Sequence, residues 1–121
     1  MKKRINIIIK NKPKKIKIKD VKKLSEFGKA IGLMFHSREN CPAMLFEFSK
    51  PTRMRIHSFF VFFEFAALWL DDKNEIIEKK IVKPFLPSIS PKKPFYKLLE
   101  IPLNKKYEKE IKILFKKSNY S

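Results

Sequence analysis

Cysteine, glycine and histidine are scarce in this 121-residue chain, and each scarcity excludes a kind of site. The one cysteine, Cys41, excludes an internal disulfide and a zinc site built from four thiolates. The two glycines, Gly28 and Gly32, are too few for the glycine-rich turns that cradle phosphates in P-loop and dinucleotide-binding proteins. The two histidines and the scattered acids lack the close spacing of metal ligands. We therefore expect neither a metal ion nor a cofactor.

Long hydrophobic runs are missing as well. The longest apolar block spans residues 59–70, is interrupted by Glu64 and falls short of the roughly 20 residues that a membrane helix needs. Near the amino end, the short apolar run 5–9 is followed directly by lysines, without the small-residue cleavage site of a signal peptide. We expect a soluble protein of the cytoplasm with no membrane span.

Positive charge, by contrast, is abundant and concentrated towards both ends. The formal net charge is +17, from 29 lysines and arginines against 12 acids. Residues 1–23 contribute +10 and residues 79–121 contribute +9, whereas residues 24–78 are close to neutral at −2. Such a surface could bind nucleic acid, or it could be a solvated lysine-rich exterior. Only four of the basic residues are arginines, the side chain that usually reads bases, so any nucleic-acid binding should be weak and independent of sequence.

The first part of the chain predicts an edge hairpin, a helix and a buried strand. Residues 5–9 are rich in β-formers, and residues 14–19 alternate apolar and basic side chains, as in a half-buried strand with its lysines in water. Residues 24–31 have the apolar spacing of a helix, which Gly32 would end. The apolar run 43–48 predicts a buried strand.

The apolar, phenylalanine-rich run 54–70 predicts the central strands, because strands that are covered on both faces read as continuous apolar sequence. We expect four of its side chains in the core: Phe60, Phe62, Leu68 and Leu70. Residues 71–75 are polar and predict a tight turn, in which Asn74 can adopt a positive φ.

Four prolines in residues 84–94 predict an extended or looping connection, and residues 96–101 predict another strand. Residues 107–115 could form a short helix or a last strand. The total is seven or eight strands and one short helix, which indicates a mostly β barrel or sandwich. We expect a single compact domain over residues 1–121, with basic termini, 1–12 and 117–121, that could fray.

Six segments, in their order and spacing, resemble the family known as domain of unknown function 192 (DUF192). They are residues 32–35, 43–48, 56–63, 68–75, 83–85 and 96–102. The likeness covers roughly residues 14–115, and the phenylalanine-rich run after His57 looks most like the archaeal branch. The resemblance implies a compact, mostly β single domain of barrel or sandwich type, and it implies no established activity.

The chain departs from the archaeal pattern at several positions. That pattern usually reads Pro-Ile-Asp where this chain has Glu64, Phe65 and Ala66, so any chemical role of the aspartate would be lost here. Ser58 stands where Met is usual, and Asn104 stands where Gly is usual. These departures argue against carrying a function over wholesale from the family.

His57 is the strongest single candidate for a site. On an unbroken strand it would share a face with Phe59, Val61 and Phe63, where an imidazole could titrate near neutrality or bind a ligand. The alternative is a structural histidine, largely buried at a strand end and hydrogen-bonded to backbone. We favour the structural alternative, because buried polar groups are normally paired.

Asp71 and Glu100 match acidic positions of the DUF192 pattern. With His57 they could line the pocket of an enzyme, provided that the two carboxyl groups lie within several ångströms of each other. Asp71 is more simply explained as a turn former, whose side chain bonds the backbone two residues on. Glu100 could instead pair with one of the many lysines.

Arg38 and His36 lie in a predicted loop after residues 32–35, where the resemblance implies a basic residue. An anion-binding position and an exposed, mobile loop are both consistent with that placement. Cys41 is expected to be a free, inert thiol. The phenylalanines of residues 59–65 could stack bases, but the lack of a basic residue among them favours core packing.

The sequence therefore predicts a non-enzymatic binding or accessory module with an unknown ligand. One alternative is sequence-independent nucleic-acid binding through the basic surface, which a continuous stripe of lysines would favour. The other is an enzyme with a pocket around His57, Asp71 and Glu100. The sequence does not determine the oligomeric state.

Overall fold

The computed structural model describes residues 3–25, 36–58 and 61–115. Within these ranges the elements are β1 (Lys3–Asn11), β2 (Lys14–Ser25), β3 (Ala43–Thr52), β4 (Phe65–Leu70), β5 (Ile76–Val82), β6 (Phe95–Pro102) and α1 (Glu108–Leu114). A 3-10 turn, Lys105–Tyr107, leads into α1. The predicted helix at residues 24–31 lies outside the described residues, except for Leu24 and Ser25, which extend β2 instead.

The strands form one curled sheet in the order β1-β2-β3-β6-β4-β5. Neighbouring strands are antiparallel except β2 and β3, which are parallel. At one end the two edges of the sheet meet, because the Lys10 N–H donates to the Asn74 carbonyl at 2.9 Å and Asn74 Nδ2 donates to the Ile8 carbonyl at 3.1 Å. Lys12 and Glu75 add an ion pair of 3.2 Å. The architecture is therefore a mostly β half-barrel.

The described residues form six strands, so the prediction of seven or eight was wrong. The difference arises in residues 54–64, which form no strand where they are described and contribute only an isolated bridge between Ile56 and Ile89. Val61 and Phe63 nevertheless fold back onto the sheet and are almost fully buried. The apolar run is thus explained by a segment that covers the sheet, in addition to β4, which lies within it.

The predicted core positions divide between the two parts of this run. Leu68 and Leu70 in β4 are fully buried, as predicted. Phe62 is 56% exposed, so its predicted place in the core was wrong. Phe60 lies outside the described residues.

The sheet carries a hydrophobic cluster on each face, and β4 contributes to both. The inner cluster lies in the concavity of the half-barrel beneath α1. It includes Ile7, Ile9, Ile16, Ile18, Val21, Leu45, Leu68, Leu70, Leu99, Tyr107 and Leu114. The outer cluster is covered by the segments around residues 61–63 and 89, and includes Met44, Phe46, Val61, Phe63, Phe65, Trp69, Val82, Phe95 and Leu98. Burial on both faces explains why β4 has no polar residue.

The predicted hairpin is confirmed by β1 and β2. Their isoleucines at alternate positions face the inner cluster, whereas the lysines between them lie in water. Alternation with period two is what a half-buried strand requires. Residues 3–11, for which fraying was left open, form the edge strand β1.

The turn predicted between β4 and β5 is also confirmed, and Asn74 has the expected positive φ of 68°. Residues 84–94 form a looping connection, with a turn at residues 84–85 and one bridge, at Ile89. Residues 107–115, which could have formed a helix or a strand, contain the short helix α1. Its Leu114 is buried against the inner cluster.

Tyr107 connects the carboxyl-terminal helix to the start of the parallel strand pair. Its ring is fully buried, and its hydroxyl accepts a hydrogen bond from the Ala43 N–H at 2.9 Å and donates one to the Asp20 carbonyl at 3.0 Å. Ala43 pairs with Val21, the first registered pair between β2 and β3. Asp20 itself has a positive φ of 55° and marks the irregularity of the hairpin. One hydroxyl therefore fixes both strands where their pairing begins.

Replacing Tyr107 by Phe should lower the free energy of unfolding by about 1–3 kcal/mol, because the buried Ala43 N–H loses its acceptor. Urea denaturation measures the change. Tyr96→Phe is the matched control, since Tyr96 is only half-buried and its hydroxyl has no hydrogen bond among the described residues. Equal stabilities of the two variants would contradict the bridging role.

Candidate functional site

The structure does not gather His57, Asp71 and Glu100 into a pocket. Glu100 on β6 lies directly opposite Ala67 on β4, so Asp71 is four residues further along, roughly 13 Å at the usual rise per residue. His57 is exposed in the segment between β3 and β4. The next residue, Ser58, hydrogen-bonds to Lys83, which directly follows β5. β5 is an edge strand, and β6 and β4 lie between it and β3. Asp71 and Glu100 are thus too far apart to act as a pair, and Glu100 is buried whereas His57 is exposed.

Asp71 acts as a turn former, as the simpler interpretation predicted. Its Oδ1 accepts hydrogen bonds from the backbone N–H groups of Lys73 at 2.8 Å and of Glu75 at 2.9 Å. These bonds close the turn between β4 and β5 and place Asn74 against the edge strand β1. The carboxylate is therefore used to join the two edges of the sheet.

The structural interpretation of His57 expected a largely buried ring. That expectation was wrong, because His57 is exposed. Its neighbour Ser58 is the buried polar residue of this segment, with no accessible surface. The described residues next to His57 form no strand, and Ser58 bonds instead to the connection after β5.

Glu100 is buried on the outer face of β6, between Met44 of β3 and Ala67 of β4. Burial raises the pKa of its carboxyl group to about 8. Burial, with a smaller contribution from the Glu100 charge, raises the pKa of the Cys41 thiol to about 12. The thiol is therefore protonated at neutral pH, as expected for a free and unreactive cysteine.

Arg38 and His36 lie in the loop before β3, Arg38 exposed and His36 half-buried. The Arg38 guanidinium pairs with Glu39 at 3.1 Å, so its charge is already matched. Asn104 Nδ2 holds the loop by donating to the carbonyls of Arg38 at 2.7 Å and Cys41 at 3.1 Å. A cleft of about 430 Å³ beside this clamp has charges of both signs. In this cleft Arg38 is paired with Glu39 and Lys112 is paired with Glu108 at 3.5 Å, so most of its positive charge is matched.

Unopposed positive charge lies instead on the outer face of the β1–β2 hairpin. We call this the lysine face, and it comprises Lys10, Lys15, Lys17, Lys19 and Lys22. Lys15, Lys17 and Lys19 are alternate residues of β2, so they point to one side, at about 7 Å spacing. Lys10 and Lys22 extend the row, Lys10 opposite Lys15 and Lys22 opposite Arg4.

The single acid of the two strands does not neutralise this face. Asp20 accepts hydrogen bonds from Arg4 at 2.9 Å and from Lys106, and this pairing keeps the pKa of its carboxyl group below the usual value. Among the described residues, no acidic side chain pairs with Lys10, Lys15, Lys17, Lys19 or Lys22. The alternation of residues 14–19 predicted lysines in water, and Lys15, Lys17 and Lys19 are exposed in the structure.

Metal and membrane features are absent from the part of the chain that the structure describes. Residues 3–25, 36–58 and 61–115 contain no group of three or more His, Cys, Asp or Glu side chains placed to hold a metal ion. No helix in these ranges has the length and hydrophobicity to span a bilayer.

Comparison with known proteins identifies the family and the fold. Residues 7–113 match the model of DUF192, described as an uncharacterised ACR. A protein of unknown function from Novosphingobium aromaticivorans DSM 12444 is similar in structure, with a TM-score of 0.69, 12% identity, and coverage of 88% of this chain and 77% of that one. A protein from Sinorhizobium meliloti 1021, described as a "putative transcription regulator", has a TM-score of 0.69 and 16% identity over 91% of this chain and 86% of its own. No curated protein matches. At these identities the two structures establish the fold alone.

Glu100→Gln should remove a pH dependence of stability. The folded chain keeps a proton on Glu100 between pH 4.5 and about 8, whereas the unfolded chain releases it. The free energy of unfolding of the wild type should therefore fall by about 1.4 kcal/mol per pH unit across this window, relative to the variant. Its proton-linked stability is fully present below pH 4.5 and lost as the pH rises through 8.

Urea denaturation at a series of pH values measures this difference, with Glu108→Gln as the control because Glu108 is exposed on α1. Parallel pH profiles for the wild type and Glu100→Gln would show that the carboxyl group is not buried as described.

Proposed function

This chain belongs to the DUF192 family, and we propose that it is a non-enzymatic binding domain whose lysine face binds nucleic acid without reading its sequence. The observation that carries the proposal is the row of unpaired lysines on the exposed side of the hairpin. A surface that neutralises several phosphates releases the counterions condensed on a nucleic acid, and this release drives binding.

The geometry of the face favours a backbone ligand. Lys15, Lys17 and Lys19 extend in a line from one strand, a shape that suits a linear series of phosphates. The inner cluster lies on the opposite face of the sheet, so this side of the hairpin is mostly polar. Ile8 is the one large apolar residue in the row and is 44% exposed.

The residue type explains why sequence selectivity is not expected. Lysine presents a compact charge on a flexible stem, whereas arginine presents a planar fork that matches the edges of guanine. The lysine face contains no arginine, and Arg4 at its border is committed to Asp20. Such a surface contacts phosphates and leaves the bases unread.

The description of the S. meliloti neighbour as a "putative transcription regulator" agrees with this proposal, although the likeness concerns the fold. The alternative of an enzyme around His57, Asp71 and Glu100 is weakened by the register of β4 and β6, which separates Asp71 from Glu100. Placement in the cytoplasm and membership of the archaeal branch remain predictions from the sequence.

The triple variant Lys15→Gln, Lys17→Gln, Lys19→Gln should bind a labelled oligonucleotide much more weakly than the wild type. Three lost phosphate contacts should also reduce the slope of log K against log salt by about 2 to 3. Fluorescence anisotropy over a salt series measures both quantities, and the losses should be equal for oligonucleotides of different sequence.

The matched control is the triple variant Lys105→Gln, Lys109→Gln, Lys112→Gln, which loses the same net charge from exposed positions at the carboxyl-terminal helix. If the two triple variants lose affinity equally, net charge alone is responsible and the lysine face is not a site.

A further inference from the structure

A second exposed feature lies near the opposite edge of the sheet, where Phe62 and Phe85 form an aromatic pair. Their ring centroids are 5.7 Å apart and their planes meet at 62°. Phe62 is 56% exposed and Phe85 is 52% exposed. The neighbours of Phe62, Val61 and Phe63, are turned into the outer cluster, so the exposure is specific to Phe62.

The backbone of Phe85 is held in an unusual conformation. Its φ of 61° is rare for a bulky side chain and persists only where the surroundings fix it. Four hydrogen bonds to Ser58 provide that constraint. The Phe85 N–H donates to the Ser58 carbonyl at 2.8 Å, the Leu86 N–H to Ser58 Oγ at 2.7 Å, the Ser58 N–H to the Leu86 carbonyl at 2.9 Å, and Ser58 Oγ to the Lys83 carbonyl at 2.7 Å.

This arrangement depends on the hydroxyl group of Ser58. Ser58 is fully buried and uses its Oγ both as donor and as acceptor. A methionine at this position could form neither bond, because its thioether is at best a weak acceptor. The buried Ser58 therefore holds Phe85 in a position where its side chain is about half exposed to solvent.

The surroundings of the pair are basic. The two segments that carry it, residues 53–64 and 83–94, contain one acid, Glu64, and five basic residues: Arg53, Arg55, Lys83, Lys92 and Lys93. They run side by side, joined by the bridge between Ile56 and Ile89 and by the bond from Arg55 to Ser88 Oγ at 2.8 Å. Glu64 is 3.9 Å from Lys83, a contact too long and exposed to neutralise it fully.

We infer that the aromatic pair is a stacking platform for the bases of single-stranded nucleic acid, with Lys83, two residues before Phe85, to contact phosphates. Every base has a π-face, so stacking on aromatic rings within a cationic surface binds single strands without sequence preference. Paired bases in a duplex are stacked on each other and cannot use the platform. The inference rests on the proposed function and narrows its ligand from nucleic acid in general to single strands.

Charge argues for this occupant over a second copy of the chain. An exposed apolar pair could be a protein contact, but two copies would each bring a net charge of +17 and a cationic border to the interface. A single-stranded polyanion brings the opposite charge together with flat aromatic rings. It complements both properties of the patch.

The test compares Phe62→Leu and Phe85→Leu, singly and together, with the wild type. Leucine keeps apolar bulk and has the same branching at Cβ as phenylalanine, but it has no π-face. The probes are a labelled oligothymidylate of about 16 nucleotides, a duplex of equal length, and labelled inorganic polyphosphate, which has charge without bases. Ile113→Ala is the control for loss of an exposed apolar residue elsewhere, on α1.

The double variant should bind oligothymidylate about 5- to 150-fold more weakly, while its affinity for polyphosphate stays unchanged. The duplex should be affected little, and Ile113→Ala should match the wild type with every probe. Unchanged oligothymidylate binding by the double variant would overturn the platform and leave the lysine face intact. If polyphosphate affinity falls in parallel with oligothymidylate affinity, the phenylalanines do not contact bases, which also overturns it.

Failure of the proposed function gives a different result, because the wild type would then bind none of the three probes. Sedimentation equilibrium of the wild type and the double variant separates a contact between copies. A wild-type dimer that dissociates in the double variant, with oligothymidylate binding unchanged, would assign the aromatic pair to self-association instead.

Discussion

The hydroxyl of Tyr107 is the contact on which the architecture depends most. It lies where β2 and β3 begin their parallel pairing, and parallel neighbours cannot be joined by a tight turn. Nothing local in the chain therefore sets that register. Tyr107 sets it from the other end of the sequence by bonding to Asp20 and Ala43 at once, and its ring fills the inner cluster beneath α1. The hairpin, the central strands and the helix are thus fixed relative to one another by one buried side chain.

Local patterns predicted those parts of the fold that are decided locally. The alternation in residues 14–19 and the polar turn at 71–75 each specify a conformation within a few residues, and both were confirmed. The prediction that residues 54–70 supply the central strands was only partly right, because a covering segment and a strand buried on two faces have the same composition. Only contacts across the sheet distinguish them, and Phe62 shows the consequence, since it points to solvent from within an apolar run. The strand order, in which β6 lies between β3 and β4, is likewise a matter of long-range pairing.

The candidate functional residues also differ in whether their positions are decided locally or by long-range contacts. The role of Asp71 could be read from its turn, because an aspartate there bonds its own backbone. His57 was misplaced along with the strand that was expected to contain it. The lysine face was partly predictable, since the period of the lysines put them in water, whereas its extension to Lys10 and Lys22 depends on strand pairing. The aromatic pair was missed because Phe62 and Phe85 are distant in sequence and no pattern signals a left-handed phenylalanine. The basic residues that sequence reasoning sought among the phenylalanines come instead from the neighbouring segment.

The departures from the DUF192 pattern gain a physical meaning in this context. Ala66 points into the inner cluster with no accessible surface, so an aspartate there would place a carboxylate beside Leu68 and Leu70. This chain has an uninterrupted apolar interior at that point, and Glu100 on the other face is the one buried acid of the described residues. Ser58, in turn, holds the backbone of Phe85, whose ring is exposed on the outer surface. With lysines on the exterior, a net charge of +17 destabilises the folded state least, because charges in water repel one another only weakly. A bound polyanion removes the repulsion that remains.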